Sequence, residues 1–296
     1  MVTPFTSSGA LDLAGAERLA SVLVEQGNDG LVLSGSTGEA STLTDDERVE
    51  LWRAVVGAVD VPVVAGATSN DTAHSVELVR RAEGAGVSGI LAVTPYYSRP
   101  SQAGIDAHFR AVARATSLPV VLYDIPVRTG RKISHTTLLR LAEQVPNIVA
   151  LKDASGEPAG TARLLAEAPD GFSCYSGDDA LTLPLLAVGA VGLIGVATHW
   201  CAPESGEMIE RFLAGDVAGA RELNAALLDS FAFETGDDAP NPLPTKAVLR
   251  VLGLPAGQCR LPLGDAPDGL EEAAAAVLRR LDAWRRCRGD APWNRA

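Results

Sequence analysis

The chain has 296 residues, 47% of them hydrophobic and 21% charged, which is enough for one large domain with a modest addition. Its formal net charge of −12 makes nucleic acid and anionic membrane surfaces poor partners. The four cysteines and four histidines are scattered without disulfide or metal-ligand spacing, so we predict a cytoplasmic protein with no structural metal.

Short apolar runs bounded by glycine or proline alternate with amphipathic patterns up to about residue 200. Such runs are typical of strands buried on both faces, and the amphipathic segments are typical of helices. Val2–Phe5 resembles the end of one further strand. The predicted strands are Gly30–Ser36, Val61–Ala67, Gly89–Pro95, Pro119–Pro126, Ile148–Ala154, Phe172–Gly177 and Val191–Val196. The predicted helices include Asp12–Gln26, Thr44–Val59, Thr72–Ala85, Ile105–Thr116 and Ser134–Gln144.

One apolar stretch, Leu181–Ala197, has the length of a membrane span. Pro184 and three glycines interrupt it, so we predict a short helix, a turn and a strand instead. The first residues of the chain also lack the basic and apolar regions of a signal peptide.

Consecutive β/α units predict an α/β protein with a (β/α)8 TIM barrel, a fold that typically takes ~250 residues. An open doubly wound sheet is the main alternative, but the glycine-rich dinucleotide and phosphate loops that often accompany it do not occur. Beyond Pro203 the strand pattern stops. We therefore predict the barrel over residues 1–225 and a helical extension packed on it over residues 226–296. The predicted carboxy-terminal helices are Glu204–Ala214, Val217–Phe233, Thr245–Leu252 and Leu270–Arg286.

Lys152 ends the apolar run Ile148–Leu151, and the active sites of such barrels lie at the carboxyl ends of the strands. A lysine in this position is unusual because an unpaired buried ammonium is costly. It either points outward to solvent, pairs with Asp153, or provides an uncharged amine that attacks a carbonyl to form a Schiff base.

Other strand ends carry groups that suit a small keto acid. The small and hydroxyl residues of Gly35–Glu39 can either cradle a carboxylate or simply make a turn. Tyr123 and its neighbour Asp124 must point to opposite faces of their strand, and a phenol at the barrel mouth could transfer protons. Arg128 in the following loop is either a carboxylate ligand or an ordinary exposed arginine. We infer a 2-keto acid that condenses with Lys152, loses a methyl proton and attacks an aldehyde.

These motifs resemble the dihydrodipicolinate synthase / N-acetylneuraminate lyase superfamily, the pyruvate-dependent class I aldolase-like barrels. The resemblance runs from Val2–Phe5 through Pro240–Pro242. It implies a covalent Schiff base with pyruvate, a proton relay that a tyrosine of the neighbouring subunit completes, and no other cofactor. The implied catalytic residues are Lys152, Tyr123, Ser36 and Tyr97, and the implied substrate-binding residues are Thr37, Arg128, Gly177 and Ile194.

The expected activity on this resemblance is that of a lyase that condenses pyruvate with L-aspartate semialdehyde in lysine and diaminopimelate biosynthesis. The expected assembly is a homotetramer, a dimer of dimers. Ser36 stands where the synthases usually have threonine, so a related aldolase or lyase acting on a sugar acid or hydroxy-keto acid is the alternative. Asp45, Arg48 and His74 depart from the pattern of the lysine-inhibited members, although Asn70 is retained, so feedback inhibition by lysine is not expected. A non-catalytic keto-acid sensor is disfavoured because Lys152, Tyr123 and Ser36 are all present.

Overall fold

The computed structural model describes residues 1–291 and Trp293. Two compact units make up the chain. Met1–Val61 and Val196–Ala296 form the first, which we call the terminal unit, and Pro62–Gly195 form the second, the central unit.

Strands and helices alternate along the described chain. The strands are β1 Leu31–Leu33, β2 Val63–Gly66, β3 Gly89–Val93, β4 Val120–Asp124, β5 Ile148–Asp153, β6 Ser173–Ser176 and β7 Gly192–Leu193. The first helices are α1 Leu13–Glu25, α2 Asp45–Ala58, α3 Thr72–Glu83, α4 Gln102–Arg114, α5 Pro126–Thr129, α6 His135–Gln144 and α7 Pro158–Glu167. The later helices are α8 Thr182–Leu186, α9 Thr198–Leu213, α10 Val217–Phe233, α11 Leu243–Val251 and α12 Leu270–Arg288. Short 3-10 turns span Ala40–Thr42 and Asp179–Leu181.

The central unit is built on six parallel strands, β2 to β7, which pair in chain order. Parallel neighbours need a crossover between them, and helices of the unit provide it. Because successive strands run in the same direction, their carboxyl ends meet at one edge of the sheet. The pairing register places Lys152 beside Tyr123 on one side and beside Tyr175 on the other.

The terminal unit contains α1, β1, α2 and the helices from α9 onward. Among its described residues, the largest fully buried side chains are Trp52 and Trp200. Each indole N–H donates to a serine hydroxyl, Trp52 to Ser34 at 2.8 Å and Trp200 to Ser230 at 3.0 Å. These bonds satisfy the polar edge of rings that otherwise pack as hydrophobic groups.

The amino-terminal residues differ from the prediction, since Val2–Phe5 is not a strand. Phe5 makes only one isolated bridge, with Leu11, although residues 1–5 are all buried. Pro4 has no N–H to donate to a ladder, and a turn closed by the Gly9 N–H on the Thr6 carbonyl follows at once. The segment is held instead by single contacts, such as the Met1 ammonium on the Val32 carbonyl at 2.6 Å.

The seven other predicted strands are confirmed, although several are shorter than predicted. The stretch from Leu181 is a short helix, a turn and a strand, as expected. Helix α9 begins at Thr198, before the predicted Glu204, and it is kinked at Cys201, two residues ahead of Pro203. No helix in the described part of the chain combines the length and hydropathy needed to cross a membrane. The domain boundary at residue 225 stays a prediction.

Candidate active site

Lys152 lies near the end of β5, and the ring of Tyr123 on β4 lies against its amine. The Lys152 Nζ is 4.4 Å from the centre of the Tyr123 ring. Tyr123 is buried and Lys152 is half-buried. An ammonium over an aromatic face gains modest electrostatic stabilisation. The two residues that the sequence analysis placed at the centre of the chemistry are therefore in contact.

The two aspartates next to these residues point to the opposite face of the sheet. Asp153 accepts hydrogen bonds from the Ser155 N–H at 2.8 Å and from the Thr161 hydroxyl on α7. Asp124 accepts the N–H of Ile133 at 3.2 Å. Because successive side chains of a strand alternate between faces, neither carboxylate is directed toward the amine. The alternative that Lys152 pairs with Asp153 is therefore not supported.

Asp124 is almost completely enclosed between the strands and the helices that cover them. Burial raises its pKa to about 7, and the charge of Asp153 adds to the shift. The Ile133 N–H and the charge of Lys132 act in the opposite direction, while Glu157 raises the pKa further. A carboxyl group that changes charge near neutral pH thus lies directly behind Tyr123.

Gly177 follows β6 and lies directly against the stem of Lys152. Its N–H donates to the carbonyl of Asp153, the last residue of β5, at 2.7 Å, which extends the pairing one residue beyond β6. A Cβ atom at position 177 would lie 2.9 Å from Cγ of Lys152 and 3.0 Å from Cε, closer than such atoms can approach. Ile194 follows β7, is half-buried, and its N–H donates to the Ser176 carbonyl at 2.8 Å. Both predicted pocket residues therefore lie at the sheet edge where β5 ends.

Tyr97 and Arg128 lie in two exposed loops of the central unit. The Tyr97 side chain is 89% exposed, and its backbone is left-handed with φ of 69°. Arg128 belongs to α5 and is exposed. The two loops are joined, since Arg99 donates to the Gly130 carbonyl at 2.8 Å and Arg131 donates to the Arg99 carbonyl at 3.0 Å. The structure does not bring Tyr97 or Arg128 into a described contact with Lys152, and their roles stay predictions.

Ser36 and Thr37 belong to the terminal unit, in the loop Gly35–Glu39. The loop is closed by the Glu39 N–H on the Ser36 carbonyl at 3.1 Å. A Cβ at Gly38 would lie 2.9 Å from the Ser34 nitrogen, so the backbone approaches itself too closely for another residue. Ser36 is exposed and Thr37 is half-buried. The hydroxyl-bearing loop that the sequence predicted is therefore a compact turn with its serine accessible.

A buried ion pair beneath this loop was not predicted from the sequence. Lys246 on α11 lies 2.6 Å from Glu39, and both side chains are fully buried. The Lys246 amine also donates to the Gln258 carbonyl at 3.0 Å and lies 4.3 Å from the centre of the Phe5 ring. Burial lowers the pKa of Lys246, while the Glu39 carboxylate acts to raise it. The lysine within the apolar run of α11 was the only sequence signal for this pair.

Asn241 lies within Pro240–Pro242, where the family resemblance ends, and the sequence analysis assigned it no role. Its amide Nδ2 donates to the Thr37 hydroxyl oxygen at 2.8 Å.

Within residues 1–291 and Trp293, no three His, Cys, Asp or Glu side chains are grouped so that they could bind a metal ion. The groups arranged here for chemistry are an amine beside a phenol in the central unit and a loop of hydroxyls in the terminal unit.

Comparisons with known proteins identify relatives over nearly the whole chain. The sequence profile of the Dihydrodipicolinate synthetase family matches residues 1–281. The 4-hydroxy-tetrahydrodipicolinate synthase of Moorella thermoacetica is 50% identical over 283 residues, which cover 94% of this chain and 95% of the relative. The enzyme of the same name from Acidothermus cellulolyticus is 55% identical over 270 residues, which cover 90% of this chain and 85% of the relative. Among solved structures, the dihydrodipicolinate synthase of Cyanidioschyzon merolae with lysine bound matches with a TM-score of 0.92 and 43% sequence identity. The match covers 95% of this chain and 96% of that one.

These similarities decide the fold and the class of enzyme. The shared fold is the (β/α)8 barrel with a carboxy-terminal helical extension, so the fold prediction is confirmed. The lyase class and the synthase branch predicted from the sequence agree with the names of the relatives. By sequence and by fold, this chain belongs to the Dihydrodipicolinate synthetase family.

Proposed function

We propose that this enzyme condenses pyruvate with L-aspartate semialdehyde to give 4-hydroxy-tetrahydrodipicolinate, in lysine and diaminopimelate biosynthesis. The observation that carries the proposal is the contact between the Lys152 amine and the Tyr123 ring at the carboxyl ends of β4 and β5. Family membership supports the same reaction, because the relatives are named for it.

Lys152 is the nucleophile in this proposal. Its uncharged amine attacks the ketone carbon of pyruvate, water leaves, and a Schiff base links the lysine to the substrate. Loss of a proton from the pyruvate methyl group gives an enamine whose carbon attacks the aldehyde. The amino group of the second substrate then attacks the former ketone carbon, which closes the ring and frees the lysine. No cofactor is required beyond this covalent bond.

The remaining residues bind substrates or move protons in the proposal. Tyr123 is the acid and base for the proton transfers at Lys152, and Ser36 and Tyr97 pass protons to and from it. Thr37 and Ser36 bind the pyruvate carboxylate, and Arg128 binds the carboxylate of the aldehyde with two hydrogen bonds. Gly177 and Ile194 line the pyruvate pocket. The exposure of Tyr97 supports its action in a neighbouring subunit of a homotetramer.

The proposed location is the cytoplasm. All four cysteines, which lie within the described residues, are free thiols, and this suits a reducing compartment.

Reductive trapping tests the proposal directly. We expect borohydride with pyruvate to add the mass of one reduced adduct, which peptide mapping places at Lys152. A chain that gains no mass, or gains it at another lysine, would contradict the Schiff-base mechanism.

An acceptor screen separates the synthase from the alternative enzyme, which Ser36 motivates. We expect turnover with aspartate semialdehyde and little with sugar aldehydes. Arg128→Ala should lower kcat/KM for aspartate semialdehyde by on the order of 30-fold or more, the loss expected for a hydrogen bond to a charged group. Arg163→Ala, at an exposed arginine of α7, is the control and should leave turnover unchanged. Preference for a sugar aldehyde would favour the lyase instead.

A further inference from the structure

We propose that Asn241 is a positioning residue that directs the Thr37 hydroxyl to donate its proton to the substrate carboxylate. This inference rests on the proposed function, in which Thr37 binds the carboxylate of pyruvate. Asn241 does not touch the substrate in this proposal. It acts only through the oxygen of Thr37.

The first step is the direction of the hydrogen bond between the two side chains. Nδ2 of Asn241 lies 2.8 Å from the hydroxyl oxygen of Thr37, and an amide nitrogen can only donate. At the other end of the same amide group, Oδ1 of Asn241 accepts the Thr245 hydroxyl at 3.4 Å. The Asn241 side chain is buried, and its backbone N–H donates to the Thr235 hydroxyl at 3.3 Å. The amide is thus held at both ends.

The second step is what this bond does to the hydroxyl. A threonine hydroxyl has one proton to donate and two lone pairs that accept. The amide of Asn241 occupies one lone pair, so the O–H bond must point away from Asn241. A hydroxyl oriented in this way is ready to donate to an anion, and hydrogen bonds to a carboxylate are stronger than those between neutral groups. The Thr37 hydroxyl group then does not have to rotate when the substrate binds.

The third step is that α11 and the residues just before it hold the loop Gly35–Glu39 itself. Ser34, just before the loop, and Glu39, its last residue, have left-handed backbones with φ of 47° and 53°. Such a conformation is costly for residues other than glycine and persists where the surroundings impose it. Lys246 on α11 holds Glu39, while Asn241, two residues before α11, holds Thr37. Contacts at two alternate loop residues fix both the course of the backbone and the direction of the hydroxyl.

The test measures how the initial rate of borohydride trapping at Lys152 depends on pyruvate concentration. Thr37→Val removes the hydroxyl with little change of shape, and we expect the half-saturating concentration to rise about tenfold. Asn241→Ala should raise it severalfold, with the trapping rate at saturation nearly unchanged. In the double variant Thr37→Val with Asn241→Ala, the second change should add nothing, because its target is gone.

Asn241→Asp has nearly the native shape and replaces the donor by an acceptor. The carboxylate takes the Thr37 proton for itself and repels the substrate carboxylate, so half-saturation should rise on the order of 100-fold. Asn28→Ala is the matched control. It removes an amide that donates to the Leu23 carbonyl at 2.8 Å, away from the loop, and it should leave half-saturation unchanged.

The outcomes separate this inference from the proposed function. A wild-type chain that gains no mass at Lys152 refutes the proposed function itself. If the wild type is trapped and Thr37→Val is shifted, but Asn241→Asp is not, only the role of Asn241 is overturned. An equal effect of Asn241→Ala with and without the Thr37 hydroxyl also overturns it, because the amide then acts by general support of the fold. Melting temperatures of all variants show which of them retain the native structure.

Discussion

Two lysines of this protein lie over aromatic rings, yet they are suited to opposite tasks. The Lys152 amine is 4.4 Å from the centre of the Tyr123 ring, and the Lys246 amine is 4.3 Å from that of Phe5. Lys246 is fully buried and bound to the carboxylate of Glu39. Lys152 is half-buried, and the aspartates of β4 and β5 are directed to the opposite face of the sheet. The two amines lie at similar distances from an aromatic ring, so the lysines differ in their burial and in the Glu39 carboxylate that Lys246 contacts.

The difference teaches what separates a structural lysine from a reactive one. A carboxylate in contact with a buried ammonium stabilises its charged form, which cannot attack a carbonyl. A phenol beside the amine gives much weaker support to the charge, and it can also carry a proton. The alternation of side chains along a strand directs Asp124 and Asp153 to the face opposite Tyr123 and Lys152. We therefore expect Lys246 to be a structural lysine and Lys152 to be the reactive one.

The largest expected effect comes from removing the Lys152 amine, which we propose to be the nucleophile. Lys152→Met keeps most of the side-chain volume but no nucleophile, so we expect condensation to fall on the order of 10⁴-fold or more with no trapping by pyruvate. Steady-state assays and intact-mass measurements check this. Lys132→Met, at a lysine paired with the exposed Glu157, should keep full activity. If the Lys152 variant keeps more than about a hundredth of the wild-type activity, Lys152 is not the nucleophile.

Removing the other lysine should cost stability instead. Lys246→Met leaves the Glu39 carboxylate buried without its ion pair, which is expected to cost about 3–5 kcal/mol of unfolding free energy. Urea unfolding measures the loss. The double variant Lys246→Met with Glu39→Gln should recover much of it, because no buried charge then remains. A loss below about 1 kcal/mol, the level of an exposed pair, would contradict a structural role.

The third prediction concerns Asp124, the carboxyl group next to Tyr123, whose protonation makes the stability of the folded chain depend on pH. The pKa of Asp124 is raised to about 7 in the folded chain, above its ordinary value of 3.8. The folded state therefore holds this proton more tightly than the unfolded state, and stability falls as pH rises through the window from about 4 to about 7.

Asp124→Asn removes this titration while it keeps an oxygen for the Ile133 N–H. The variant should be more stable than the wild type at pH 8, by at most about 4 kcal/mol, and should differ little at pH 4. Thermal unfolding at the two pH values measures the difference. An equal gain at both would show that Asp124 does not titrate in this window.

The smallest expected effect concerns the position of the Lys152 stem. Gly177→Ala introduces a Cβ that would contact Cγ of Lys152 at 2.9 Å, so the side chain must move. We expect trapping by pyruvate to slow about tenfold, because a nucleophile displaced by a fraction of an ångström attacks less well. Gly206→Ala in α9 meets no atom within 4 Å and is the control. Equal trapping rates in both variants would show that the stem tolerates displacement.

The order of strands and helices was predictable because it depends on local patterns. Apolar runs between glycine and proline, with helical periodicity between them, were enough for the barrel. Strand ends were less predictable, as at Val2–Phe5, where Pro4 and a tight turn prevent a ladder. The start of α9 was also misplaced, because the helix continues through a kink ahead of Pro203.

The sequence by itself determined that a lysine would end a buried strand, that Tyr123 and Asp124 would point to opposite faces, and that hydroxyls would follow β1. All three follow from spacing along one segment. Only the tertiary structure decided which groups face each other, such as Asn241 and Thr37, which are 204 residues apart. Side-chain partners so distant leave no periodic trace in the chain, since packing brings them together.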